Sequence, residues 1–178
     1  MVTGHVFIAT SLDGFIARED GDIGWLLERD QAGEDHGYDA FIADIDVILM
    51  GRGTYEAVRG MGDWFYTRPV LVLSAQLAQQ PVPTDLSGKV TFSDKSPEYA
   101  MAMLHSEGAR RVYVDGGRII QSFLAHDLIS DMVITRVPVL LGAGRPLFGA
   151  LQRDVTLVHK STMSFPSGLV QSHYEVVK

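Results

Sequence analysis

Apolar residues fall in short runs that alternate with stretches of helical spacing along most of the chain. The first run, Val6-Phe7-Ile8-Ala9, is followed by Ser11-Leu12-Asp13-Gly14, a strand closing in a turn. A loop rich in Gly and Asp leads from Arg18 through Asp22 to Trp25. Tyr38, Phe41 and Ile42 then recur at helical intervals and predict a helix over 34–43. Asp46-Val47-Ile48-Leu49-Met50-Gly51 is too short for a helix and reads as a buried strand. Thr54 is the predicted N-cap of a helix that begins at Tyr55, with Glu56 placed where the helix dipole favours a negative charge.

The alternation continues with a strand over 69–74 and a shorter one at Val90-Thr91-Phe92-Ser93. Ser96-Pro97-Glu98 starts a helix, serine capping and proline in the first turn, and Gly108 stops it. Arg111-Val112-Tyr113-Val114-Asp115 is a strand feeding Gly116-Gly117. Beyond it, Ile119, Ile120, Phe123 and Leu124 make one apolar helix face, and a strand follows over 132–137. The segment 141–146 is glycine-rich, but Pro146 and the absence of a helical pattern after it predict a plain loop. The last third changes character: runs over 155–159 and 169–177 are joined by Pro166-Ser167-Gly168, as in a hairpin. Strand–helix alternation with a closing hairpin predicts an α/β fold of three layers. Its sheet is mixed and mainly parallel, with an antiparallel C-terminal hairpin and helices on both faces. No repeat or linker interrupts it, so residues 1–178 read as one domain.

Composition narrows the chemistry. The 178 residues contain no cysteine, which excludes thiolate zinc sites, thiol nucleophiles and disulfides. The net charge of −7, with no stretch concentrating Lys and Arg, argues against nucleic acid or an anionic membrane as partner. A single anionic cofactor stays possible, because one helix N-terminus and one arginine suffice to hold a phosphate. No apolar run reaches the length of a membrane span, and the start of the chain lacks the pattern of a signal peptide, so a cytoplasmic location is expected. The six histidines show no ligand spacing, and no metal is expected.

Ligands of such sheets bind beyond the carboxyl ends of the strands. Three strand ends stand out: Met50-Gly51-Arg52-Gly53-Thr54-Tyr55-Glu56, Leu73-Ser74 and Asp115-Gly116-Gly117. The first combines glycine, an arginine able to fork two hydrogen bonds, and a helix start with free N–H groups, which suits phosphate as well as it suits a tight turn. Gly116-Gly117 repeats the pattern, and two such sites at neighbouring strand ends suit the pyrophosphate of a dinucleotide. Gly117 is expected to lay bare backbone against that group. The chain lacks Gly-x-Gly-x-x-Gly after its first strand, a P-loop and a Gly-x-Ser-x-Gly elbow. Trp25 and Trp64 are placed either to line a flat-ring pocket or to pack as core.

The ordered set 11–17, 50–56, 70–74 and 112–117 resembles dihydrofolate-reductase-like proteins over nearly the whole chain. The segment 138–148, Pro-Val-Leu-Leu-Gly-Ala-Gly-Arg-Pro-Leu-Phe, is similar to the branch that includes the C-terminal reductase domain of the bacterial riboflavin biosynthesis protein RibD. The resemblance implies NADPH as hydride donor. It implies that Ala9 and Ile16 border the nicotinamide, and that Gly51, Arg52, Thr54 and Tyr55 hold the pyrophosphate and adenosine phosphate side. Leu73 and Ser74 would contact the adenosine end. Gly116 and Gly117, with Arg118 and Ile119 at the helix start, would cover the pyrophosphate.

The folate enzymes place a buried carboxylate on the first helix. Counting back from Gly51 reaches Asp35, counting forward from Trp25 reaches Asp30, and Asp39 lies one helical turn after Asp35. All three stay open as catalytic candidates beside the simpler reading of a solvated acidic helix start. The pyrimidine reductases usually carry lysine after the first Asp-Gly and an acidic Asp-x-Pro segment later; here those places hold Phe15 and Tyr55-Glu56-Ala57. The expected activity is an NADPH-dependent reduction of a small molecule, either a flat heteroaromatic or a ribosylaminopyrimidine. The alternative is a nucleotide- or ligand-binding protein of the same fold without efficient turnover. A homodimer is expected from the resemblance and from the general prevalence of symmetric pairs.

Overall fold

The computed structural model of the protein describes residues 1–29 and 33–178. In chain order the elements are β1 (Thr3–Ser11), β2 (Phe15–Ala17), α1 (Gly24–Leu27), α2 (Tyr38–Ala43), β3 (Val47–Gly51), α3 (Arg52–Gly60), β4 (Val70–Leu73) and β5 (Val90–Ser93). There follow α4 (Pro97–Ser106), β6 (Arg111–Asp115), α5 (Gly117–Ala125), β7 (Ile129–Val137), β8 (Arg145–Pro146), β9 (Leu157–Ser164) and β10 (Val170–Val176). Eight strands make one sheet in the order β5-β4-β3-β6-β1-β7-β10-β9. The pairings from β5 to β7 are parallel, and the last two, β7 with β10 and β10 with β9, are antiparallel.

Central strands buried on both faces read as continuous apolar runs, and β3, β4 and β6 do so. Alternate side chains feed two cores. One face packs Val6, Leu49, Leu71 and Val114 against Ala100, Met101 and Leu104 of α4 and Ile120, Phe123 and Leu124 of α5. The other packs Ile48, Met50, Val70, Val72 and Tyr113 beneath Tyr55 of α3 and Tyr38, Phe41 and Ile42 of α2. Phe123 is wholly buried, so its truncation to Ala costs about 3–5 kcal/mol. Trp25 packs with Val137 and Leu169 in a third small cluster and is core. Among the described residues no helix is long and apolar enough to cross a membrane.

Four expectations change. The helix predicted over 34–43 starts only at Tyr38, because Gly37 adopts φ 80° and its N–H is taken by the Asp35 carboxylate at 2.7 Å. The helix predicted from Tyr55 begins at Arg52, with extended Gly51 as N-cap and no side-chain cap, so Thr54 caps nothing. The plain loop over 141–146 contains β8, which pairs with β2 as a small two-stranded flap apart from the main sheet. The strand at 155–159 lies further on, at Leu157–Ser164. The Ser96 cap holds as expected, accepting the N–H of Tyr99 at 3.3 Å.

Candidate active site

β3 and β6 are neighbours, with Met50 opposite Asp115, so their helices start side by side at one end of the sheet. The two starts are packed tightly together. A Cβ on Gly51 would lie 2.9 Å from Ile119 Cγ1, and one on Gly116 would collide with Thr54 Oγ1. Gly116 also has φ 95°, a conformation costly for any residue with a Cβ. The first-turn N–H groups of α3 and α5 have no partners within their own helices, and they converge here with the positive ends of both dipoles.

Gly117 differs from its expected role. Its φ is not positive, and a Cβ there would lie 2.7 Å from the Pro146 carbonyl oxygen and 3.1 Å from Ile16 Cδ1. Its missing side chain therefore makes room for the β2–β8 flap and not for a phosphate. Gly53 is the glycine of these strand ends that meets open space, with only Arg145 Nη1 nearby, 3.7 Å from its Cβ position.

Exposed Arg52 donates through Nη1 to Gln76 Oε1, and its Nε lies 3.8 Å from Glu56. Gln76 follows Ser74, whose Oγ accepts the N–H of Leu77 at 3.2 Å, so Arg52 is held towards the end of β4. Leu73 and Ser74 are half-buried there. Tyr55 is buried in the core beneath α3, with its ring 5.3 Å from Phe92, and burial raises its hydroxyl pKa. It therefore supports the site from below. Ala9 is half-buried near the end of β1, Ile16 is half-buried on the flap, and Arg118 is exposed on α5.

Asp30 lies outside the described residues, while Asp35 and Asp39 are exposed at the start of α2. Among the described residues the carboxylate whose pKa is raised is Asp115, half-buried at the end of β6. Burial raises its pKa to about 6, opposed by the N–H of Gly116, which its Oδ1 accepts at 2.8 Å. Three tyrosines surround it closely enough for its charge to act on each. Burial and then Asp115 raise Tyr38 to about 12, and the same two causes raise Tyr66 and Tyr113. Tyr113 donates its hydroxyl to the Phe7 carbonyl at 2.9 Å. Trp64 stands 5.4 Å from the Tyr66 ring and its buried indole N–H has no partner among the described residues, so it borders the aromatic cluster. Along the same face, an open cavity of about 220 Å3 runs between α2 and the outer strands, where Phe7 and Phe41 face His36, Gln171 and His173.

Sequence reasoning passed over Asp115 as a carboxylate because its neighbours Tyr38 and Tyr66 are far away in the chain. The only local signal was its place at a strand end before two glycines. Arg145 was passed over with the loop that holds it. The whole arrangement fits an extended anion with aromatic groups at its ends: two helix starts, two arginines, and a side-chain-free position at Gly53.

The sequence profile of the RibD C-terminal domain family matches residues 3–171. The uncharacterized protein YwjB of Bacillus subtilis (strain 168) is 35% identical to the chain over 170 residues, covering 95% of each. A protein of Shewanella sp. PV-4, provisionally assigned to riboflavin biosynthesis, superposes with a TM-score of 0.93 at 37% identity, over 99% of this chain and 100% of its own. The diaminohydroxyphosphoribosylaminopyrimidine deaminase/5-amino-6-(5-phosphoribosylamino)uracil reductase of Thermotoga maritima shares the fold, with a TM-score of 0.70 at 16% identity, over 99% of this chain and 57% of its own.

Proposed function

The chain belongs to the RibD C-terminal domain family, and from that premise we propose that it is an NADPH-dependent reductase of a flat heteroaromatic or ribosylaminopyrimidine substrate. The observation that carries this reading is the placement of Asp115. It stands at the strand end that opens α5, close enough to Tyr38, Tyr66 and Tyr113 for its charge to act on all three.

Gly51 to Thr54 and the first turn of α5 would hold the phosphates, Leu73 and Ser74 the adenosine end, and Ala9 and Ile16 the nicotinamide. NADPH, when bound, supplies a hydride. A carboxyl with a pKa of about 6 carries a usable fraction of its proton near neutrality, so Asp115 can hold a proton for a substrate nitrogen or oxygen. The half-buried rings of Tyr38 and Tyr66 would offer flat surfaces to a heterocycle.

The test is titration of the protein with NADPH by tryptophan fluorescence, then oxidation assays with dihydrofolate and with the ribosylaminopyrimidine. Saturable binding with turnover of either class supports the proposal. Binding without turnover of a wide panel would favour the ligand-binding alternative. Arg52→Ala should weaken NADPH much more than NADH, because the permanently charged fork near Ser74 and Gln76 would read the extra phosphate.

A further inference from the structure

The β2–β8 flap carries a charged side chain across the phosphate side of the site. We propose, resting on the dinucleotide reading of that site, that Arg145 binds the bridging phosphates common to NADPH and NADH. Arg52 addresses only the phosphate on the adenosine ribose.

β8 consists of Arg145 and Pro146, and the two residues reach in different directions. Pro146 lies on the first turn of α5, its carbonyl against Gly117 and accepting from Gln121 Nε2 at 3.1 Å; the same amide donates to the Leu147 carbonyl at 3.2 Å. Arg145 extends to α3. Its Nη1 lies 3.7 Å from the Cβ position of Gly53, and Nη1 and Nη2 both lie 3.3 Å from that of Gly21. One short strand thus spans the two helix starts, with its backbone pinned at α5 and its guanidinium at α3.

The guanidinium is oriented but not consumed. Nε donates to the Glu19 carbonyl at 3.3 Å, and among the described residues neither Nη1 nor Nη2 has a hydrogen-bond or carboxylate partner. Arg52, in contrast, is committed to Gln76 and leans to Glu56. A free guanidinium edge matches two oxygens of one phosphate, and here it adjoins N–H groups of a helix start. The absence of side chains at Gly21 and Gly53 leaves the approach clear. In a molecule of net charge −7, local cationic donors of this kind are required to draw in an anion.

The experiment measures Kd for NADPH and for NADH by fluorescence titration of the wild type, Arg145→Ala and Arg52→Ala. Arg145→Ala is expected to weaken both dinucleotides by the same factor, about ten- to a hundredfold, leaving their ratio unchanged. Arg52→Ala is expected to change the ratio. Unchanged affinities in Arg145→Ala, or a loss confined to NADPH, overturn the assignment while the dinucleotide reading stands. A wild type that binds neither dinucleotide overturns that reading and the assignment with it. Arg145 is exposed, so alanine should leave the fold intact. Should the alanine variant melt early, Arg145→Gln keeps the length and removes the charge, and the same outcomes decide.

Discussion

Asp115 gathers several effects in one side chain. Its carboxyl stands at about 6 in the fold against an ordinary 3.8, because burial penalises the charge more than the N–H of Gly116 favours it. A raised folded pKa contributes stability that is complete below the ordinary value and is lost as pH rises through about 6. Asp115→Asn should therefore remove a pH dependence of the melting temperature across that interval, with the wild type the less stable partner at high pH. The same titration predicts turnover that falls as pH rises through about 6, and a flat profile about a hundredfold lower in the variant. Asp35→Asn, at an exposed turn, should keep the full rate. Gly117→Val should destabilise the fold through overpacking, by about 1–3 kcal/mol, and so lower the melting temperature, since its Cβ meets the Pro146 carbonyl. The glycines and Arg52 were legible as a local strand-end pattern. Which glycine faces open space was not, because the atoms opposite Gly51, Gly116 and Gly117 come from Ile119, Thr54 and Pro146.

At the scale of elements, Asp13 ties the turn before β2 to the chain that leads into β8. Asp13 accepts the N–H groups of Leu141 at 3.1 Å and Gly142 at 2.8 Å, and its Oδ1 also accepts the Ser11 hydroxyl at 2.6 Å. The Ser11 bond above all, and these N–H groups, hold its pKa down to about 2 against an opposing effect of burial. A lowered folded pKa means that the fastening is complete above the ordinary 3.8 and released as pH falls through about 2. Asp13→Asn should accelerate hydrogen exchange at Leu141 and Gly142 at neutral pH while the central strands stay protected; unchanged exchange would show that β2–β8 pairing and the Gln121 bonds suffice to hold the flap. α4 was legible because its serine cap, proline and terminal glycine are local. α2 was misplaced because side-chain periodicity carries no information about the φ of Gly37, and β8 was missed because its two residues pair with a strand over a hundred residues earlier.

For the whole molecule, the sheet ends in an open strand. β9 is exposed from Leu157 to Ser164, and Val158 and Met163 are 46% and 55% exposed. An edge of this length is a template for pairing, and we propose that a second copy covers it in a homodimer. Light scattering at micromolar concentration should give twice the 19.5 kDa of one chain, and Val158→Lys should shift it towards the monomer. A wild-type monomer would refute the pairing.

The strand–helix alternation, the parallel sheet with its closing hairpin and the glycine-bearing strand ends were all determined by the sequence, because apolar periodicity and turn chemistry act over a few residues. Only the tertiary structure decided that Asp115 loses enough solvent for its pKa to rise, that Pro146 faces Gly117, and that Arg145 reaches Gly53. Those facts depend on the burial and approach of segments distant in the chain, and no local pattern encodes the desolvation or the contacts that such approaches create.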